Sequence, residues 1–336
     1  MAATKVLVVD DSLTMRALIS GALERIPNVE VVGLADGAAE ARDLVSQLRP
    51  DVMTLDVEMP GMSGIDYLAE IMESKPMPVI MFSTRTTDGA ADSIKALRLG
   101  AIDCFPKPRV AAPKELDAII AKLGKRIKAA KGAELCGPRT EAAKPTAAPP
   151  IDWNGRPLVV GGDASSTAAL FELFGAFPAN CPPTLVVQHL AVGLVEGMVE
   201  KLNQNVAPEV VVATDGMAIE QGKIYFAPSG DNHMVVDAWP NGRIRLLPRE
   251  PVAGERPSIS LLFAATAKAA AREAVGVLLI DGSEDGGGGL KALLGAGSNA
   301  FSPAETGGGF TLERGFAAQP VASNALSATI LKMCSK

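Results

Sequence analysis

VLVVDDS, residues 6–12, runs four apolar residues straight into Asp10, Asp11 and Ser12. Apolar side chains without polar alternation predict a strand covered on both faces by helices. Similar runs follow at Val29–Val32, Val52–Leu55 and Val79–Phe82, with a shorter one near Ile102. Helical periods lie between them. Met15, Leu18, Ile19, Ala22, Leu23 and Ile26 form one stripe, with Ser12 in front as an N-cap. Leu116, Ile119, Ile120, Leu123 and Ile127 form the last stripe. Lys114, Lys122, Lys125, Arg126 and Lys128 lie on its other side and read as a solvated basic face. Strand and helix alternating over residues 5–130 predict a parallel α/β sheet.

In such a sheet, ligands bind beyond the carboxyl ends of the strands. Asp10 and Asp11 follow the first strand and Asp56 follows Leu55. Three carboxylates together repel one another unless a cation sits among them, and Mg²⁺ suits a few carboxylate oxygens and several waters. Ser83 ends the fourth strand with a hydroxyl, and Lys107 brings an ammonium. An acid nucleophile, a divalent cation, a hydroxyl and a lysine make a site that accepts a phosphoryl group.

The 336 residues are 48% hydrophobic and 21% charged, which suits two globular domains. The formal net charge of −6 sets nucleic acid aside as a partner. The N-terminus MAATKVLVVDD has no signal-peptide pattern, and no apolar stretch is long enough for membrane insertion. Cys104, Cys136, Cys181 and Cys334 show no CxxC spacing and read as reduced thiols, so a cytoplasmic location is expected.

The pattern divides into residues 1–131, a Pro/Ala-rich linker over 132–155 (GAELCGPRTEAAKPTAAPPIDWNG) and a second α/β domain over 156–336. In the second domain LVVGGDASSTAAL reads as strand, sharp turn and helix. TLVVQHL ends a strand in Gln188 and His189, and GVLLIDGSEDGGGGL is a buried strand with an acidic, glycine-rich turn. The chain has only two histidines, His189 and His233. Taken alone, His189 is a hydrogen-bonded structural histidine; the converging strand ends make it a site candidate.

Over residues 4–130, VLVVDDS, LDVEMPGMSG, PVIMFST and GAIDCFPKP resemble the response-regulator receiver family. The resemblance implies a flavodoxin-like fold, with Asp56 as phosphoacceptor. It implies a Mg²⁺ site made by Asp10, Asp11, Asp56 and the Glu58 backbone carbonyl, with Ser83 as switch hydroxyl and Lys107 as phosphate-binding lysine. It also implies a cis Lys107–Pro108 peptide. The family usually carries an aromatic switch residue three positions before the lysine; Cys104 stands there, and Phe105 follows.

Residues 156–333 resemble the catalytic domain of the CheB-type chemotaxis methylesterases, with support from IYFAPSGDNHM and ERPSISLLF. The resemblance implies a Rossmann-like doubly wound domain that removes methyl esters from chemoreceptor glutamates and deamidates glutamines. Receiver phosphorylation would relieve its inhibition, and a sensor histidine kinase of the chemotaxis type would donate the phosphoryl group. The family's triad positions fall on Asp163, His189 and Asp285, so aspartate replaces the serine nucleophile. The Gly-Met-Gly turn has become Asp281-Gly282-Ser283, and a later substrate-side segment has become TGGGFTLERG.

A carboxylate has no proton to yield to the histidine, and it sets negative charge where an oxyanion must form. Hydrolysis is therefore expected to be impaired or lost. The chain would then act by binding the chemoreceptor methylation region or another signalling protein, or as a phosphate sink. The alternative is an active protein-glutamate methylesterase and glutaminase with Ser165 as nucleophile, two residues along a helix start and so rotated away. A third reading makes Asp163, His189 and Asp285 a metal site.

Overall fold

The structure, a computed structural model, describes residues 3–83, 87–107, 120, 123–124, 126–127, 147–280, 285–304, 311–312 and 316–336. The chain divides into two compact units, Met1–Glu141 and Ala142–Lys336.

In the first unit, strands β1 (Thr4–Val9), β2 (Val29–Ala35), β3 (Val52–Asp56), β4 (Val79–Ser83) and β5 (Asp103–Pro106) form one sheet in the order β2-β1-β3-β4-β5. Every pairing is parallel. This is the doubly wound, flavodoxin-like order, and its binding crevice lies where the order reverses beside β1 and β3. Register sets the crevice: Val9 pairs with Leu55, Asp56 with Phe82 and Ser83 with Pro106. Asp10, Asp56, Ser83 and Lys107 therefore share one rim.

Helices α1 (Leu13–Leu23), α2 (Ala38–Leu48), α3 (Gly64–Ser74) and α4 (Thr87–Leu99) connect the strands. The Ser12 hydroxyl accepts the Met15 N–H at 3.4 Å, the cap its position predicts. The buried face of α1 presents Ile19, Ala22 and Leu23. Leu123 and Ile127 of the last helical stripe enter the same core as Phe82 and Phe105.

Two expectations need correction. The β2 run was expected to be covered on both faces, yet most of its residues are only partly buried and Leu34 is 42% exposed. The reason is position, since β2 is an edge strand. Arg126 was placed on a solvated face, but its Nε donates to Asp103 Oδ2 at 2.8 Å, tying the last helix to β5. Lys114, Lys122, Lys125 and Lys128, and the Lys107–Pro108 peptide bond through Pro108, lie outside the described residues.

In the second unit, β6 (Leu158–Asp163), β7 (Thr184–His189), β8 (Glu209–Val212), β9 (Lys223–Phe226), β12 (Val275–Leu278), β13 (Asn299–Pro303) and β16 (Gln319–Val321) make a seven-stranded sheet. Its order is β16-β13-β12-β6-β7-β9-β8, with all pairings parallel. The chain moves from β6 toward β7 and later returns to β12 on the other side, so the switch point lies between β6 and β12. A hairpin of β10 (His233–Val236) and β11 (Ile244–Leu247) stands apart from this sheet, as does the antiparallel pair β14 (Thr311–Leu312) and β15 (Phe316–Ala317). The helix Ile259–Ala270 buries Leu262 and Phe263 in the main core.

Residues 147–155, the end of the expected linker, hydrogen-bond to this unit. The Ala148 N–H donates to Ala176 O, and Asn180 bonds both the N–H and the carbonyl of Ile151. The rest of that linker, residues 132–146, lies outside the described residues. No helix among the described residues is long and apolar enough to cross a membrane.

Candidate functional site

The first site is the rim of the first unit. Ligand oxygens of Asp10, Asp11 and Asp56 lie within 4.8 Å of one another. Asp10 and Asp56 are buried. Lys107 Nζ reaches Asp56 Oδ2 at 2.6 Å and Asp10 Oδ2 at 3.5 Å. Burial pushes the Asp56 carboxyl up to about 6 despite the pull of Lys107, and it raises Asp10 as well. The turn around Asp56 is built by backbone: the Glu58 N–H donates to Asp56 Oδ1 at 3.2 Å, and the Ser12 N–H to Asp10 Oδ1 at 2.9 Å.

Asp10 Oδ2 is buried, makes no hydrogen bond and has only the 3.5 Å ion pair to Lys107. Three carboxylates facing one ammonium leave negative charge that a hard divalent cation would balance. Ser83 ends β4, buried, with its carbonyl accepting the Lys107 N–H at 2.8 Å. Glu58 and Lys107 line an open cleft of about 660 Å³ together with Asp11, Asp92 and Lys95. The sequence-predicted residues of this unit therefore meet in one crevice, with a hydroxyl-bearing strand end and an ammonium beside the acids.

The second site lies at the switch point of the second unit. Asp163 ends β6 and His189 ends β7, and the two are register partners. Neighbouring strands run about 4.8 Å apart, so the two side chains start from adjacent positions. A 3₁₀ turn, Ala164–Ser166, follows Asp163 and leads into the helix Thr167–Gly175. Gln188 Nε2 donates to the Asp163 carbonyl, which fixes the turn from the neighbouring strand. A Cβ added at Gly162 would press on the side-chain ends of Gln188 and Ser166, which would have to shift.

Asp285 follows β12 and comes back to His189. Its Oδ2 lies 3.3 Å from His189 Nε2. It also accepts from Ser258 Oγ at 2.9 Å, the Ile259 N–H at 2.7 Å and the Ser260 N–H at 3.0 Å. Burial works to raise this carboxyl, but the hydrogen bonds outweigh it and hold it at about 2. His189 Nε2 also lies 3.1 Å from the Pro257 carbonyl. Both neighbours of Nε2 are acceptors, so in the neutral ring Nε2 carries the proton and Nδ1 is the basic nitrogen.

Ser165 is exposed, and its hydroxyl donates to Asp163 Oδ1 at 2.6 Å. The hydroxyl thus turns toward the aspartate that holds the strand end. Asp281, Gly282, Ser283 and Glu284 lie outside the described residues, as does most of TGGGFTLERG. Among the described residues the one acidic group close enough to hold a metal ion is Asp10, Asp11 and Asp56, so Asp163, His189 and Asp285 do not form a second.

The response regulator receiver domain matches residues 6–121, and CheB methylesterase matches residues 158–307. The chain is 42% identical over 306 residues to the protein-glutamate methylesterase/protein-glutamine glutaminase 1 of Rhizobium johnstonii, covering 90% of this chain and 87% of that protein. The chain belongs to the CheB methylesterase family. Other relatives include the protein-glutamate methylesterase/protein-glutamine glutaminase of Agrobacterium fabrum, 43% identical over 310 residues, covering 90% of this chain and 87% of that protein. The protein-glutamate methylesterase/protein-glutamine glutaminase 1 of Caulobacter vibrioides is 41% identical over 310 residues, covering 91% and 89%. This CheB-type chain thus joins a receiver to a methylesterase-type domain.

Sequence reasoning missed part of the second site. Pro257 and Ser258 touch His189 and Asp285, and His233 touches Ser258. Ser258 had a signal, since it precedes a helical run as an N-cap and accepts the Leu261 N–H. His233 and Pro257 have no local signal, because their contacts span 25 and 68 residues.

Proposed function

We propose that this CheB-type chain is a phosphorylation-responsive chemotaxis regulator whose second unit has lost, or nearly lost, ester hydrolysis and acts by binding. Asp56 is the phosphoacceptor: a carboxylate oxygen attacks phosphorus, and the donor's leaving group departs. Lys107 and Ser83 stabilise the phosphoryl oxygens. Asp10, Asp11, Asp56 and the Glu58 carbonyl would hold Mg²⁺, supported by the three carboxylates gathered within 4.8 Å of one another. When bound, that ion supplies positive charge to the transferring group. A sensor histidine kinase of the chemotaxis type is the phosphodonor, and the setting is the cytoplasm.

The observation that carries the loss of hydrolysis is Asp163 at the strand end beside His189, with its Oδ1 taking the Ser165 hydroxyl at 2.6 Å. Acyl transfer needs a hydroxyl that gives its proton to the imidazole. Asp163 offers none, and its charge opposes the forming oxyanion. Attack by Asp163 itself on an ester would give an anhydride, a costly intermediate. The bound partner is the chemoreceptor methylation region or another signalling protein. The test measures methanol release and fragment binding together, using phosphorylated protein and a methylated receptor fragment. Binding with no turnover or only weak turnover supports the proposal, and turnover that vanishes in Ser165→Ala or His189→Ala overturns it.

A second reading keeps the activity: a protein-glutamate methylesterase and glutaminase with Ser165 as nucleophile. The intact His189–Asp285 pair favours it, as do the relatives' names.

A further inference from the structure

We propose that His233 is a positioning residue for the His189–Asp285 pair, acting through the strap Arg256–Pro257–Ser258. The proposal rests on reading that pair as the functional site of the second unit, and it holds whether hydrolysis survives or not.

His233 is fully buried. Its Nδ1 lies 3.0 Å from the Ser258 N–H. A backbone N–H only donates, so Nδ1 carries no proton. Its Nε2 lies 3.0 Å from the Glu250 carbonyl, which only accepts, so Nε2 holds the hydrogen. Both ring nitrogens are used and the tautomer is fixed. The ring is a rigid spacer between the hairpin β10–β11 and the strap.

The strap passes this placement on. The Pro257 carbonyl takes the His189 Nε2–H, and the Ser258 hydroxyl donates to Asp285. The next two backbone N–H groups, of Ile259 and Ser260, complete the cradle of the carboxylate. Two adjacent residues thus touch both members of the pair. Arg256 pins the strap's other end to Gly230 and Asp231, but Asp231 is exposed and solvent weakens that ion pair. His233 is therefore the buried anchor. Through the strap it keeps the His189 proton on Nε2 and leaves Nδ1 as the basic nitrogen, a task like that of a residue orienting a metal-bound imidazole from behind.

With two histidines in the chain, histidine-selective ¹⁵N labelling of the full-length protein gives two imidazoles, and any His233 variant leaves His189 alone. In the wild type, both rings should be Nε2–H tautomers, with the His189 Nε2–H protected from exchange. His233→Leu should lose that protected signal and mix the His189 tautomers. His233→Asn, which keeps an acceptor near the Nδ1 position, should recover it. A purely structural role would lower the melting temperature of both variants without separating their His189 spectra, and that result overturns the proposal. So does an Nδ1–H tautomer for His233 in the wild type. Should His233→Leu fail to fold, Ser258→Ala decides: it removes the hydroxyl bond to Asp285 and should shift the His189 Nε2–H, and no shift overturns the proposal. Ester turnover that depends on Ser165 or His189 would contradict the loss of hydrolysis while leaving these spectra unchanged, so the two failures are distinct.

Discussion

Lys107 Nζ and Asp56 Oδ2 lie 2.6 Å apart, joining the ends of β5 and β3 across the intervening β4. The ammonium partly offsets a buried carboxylate that would otherwise stand uncompensated. Lys107→Ala should therefore lower the stability of the metal-free receiver by on the order of 2 kcal/mol, less than for a fully buried pair. Chemical denaturation with and without Mg²⁺ checks this. Equal stability of variant and wild type in both conditions would refute the pairing argument.

Asp56 should be the sole phosphoacceptor. With Mg²⁺ and a small acyl phosphate, peptide mapping should place the base- and hydroxylamine-labile modification on Asp56 and find none in Asp56→Asn. Incorporation into Asp56→Asn at the wild-type level would reject the assignment.

Gly64 opens α3 directly beneath the Asp56 turn. An added Cβ would lie 1.8 Å from the Asp56 carbonyl oxygen, so the backbone must move. Gly64→Ala should cost roughly 3 kcal/mol or more and slow phosphorylation, because the turn that aims Asp56 is displaced. Normal melting with normal labelling would show that the turn adapts freely.

Asp285 predicts a pH effect of definite sign. Its carboxyl is held at about 2 in the folded protein, below the ordinary value in an unfolded chain. The folded state therefore favours the ionised form. The stability this supplies, roughly 2 kcal/mol, is present above about pH 4 and is lost as pH falls through the folded value. Urea unfolding of the second unit should become less favourable to the fold on acidification, with a shallower slope in Asp285→Asn. Identical slopes would contradict the hydrogen-bond account.

Phe105, rather than Cys104, is predicted to carry the readout of phosphorylation. The Cys104 thiol donates to the Ser93 carbonyl on α4 at 3.4 Å, whereas Phe105 packs against Phe82 with ring centroids 6.2 Å apart, in one core with Leu123 and Ile127. Phe105 thus links the strand next to Asp56 with the last helix. Phe105→Leu should weaken the phosphorylation-dependent change in exchange protection of that helix, while Cys104→Ala should retain it. The reverse outcome would move the signal to the thiol.

The receiver rim was legible because each of its residues sits at the end of an apolar run, and parallel register brings such ends together without further information. Asp163, His189 and Asp285 were legible through the family resemblance, because Asp285 lies beyond the end of β12 and no apolar run points to it. The edge exposure of β2 was not, since strand order is a tertiary fact that a run such as VEVVGLA does not encode. Nor was the Arg126–Asp103 pair, because helix spacing marks a polar face without naming what lies opposite. His233 stayed hidden for a related reason: its partners Ser258 and Glu250 come from loops brought together only by the hairpin and the helix Ile259–Ala270.

The central claim is that Asp163 in place of a nucleophilic serine removes ester hydrolysis. The direct measurement is methanol release from a methylated chemoreceptor fragment by the phosphorylated full-length protein, set beside Ser165→Ala and His189→Ala. Loss of a triad nucleophile leaves only weak residual catalysis, so turnover should be weak and should not depend on Ser165 or His189. Turnover in the wild type that vanishes in both variants would contradict the claim and make Ser165 the nucleophile. Turnover that vanishes only in His189→Ala would contradict it equally, and would assign the attack to Asp163 or to water.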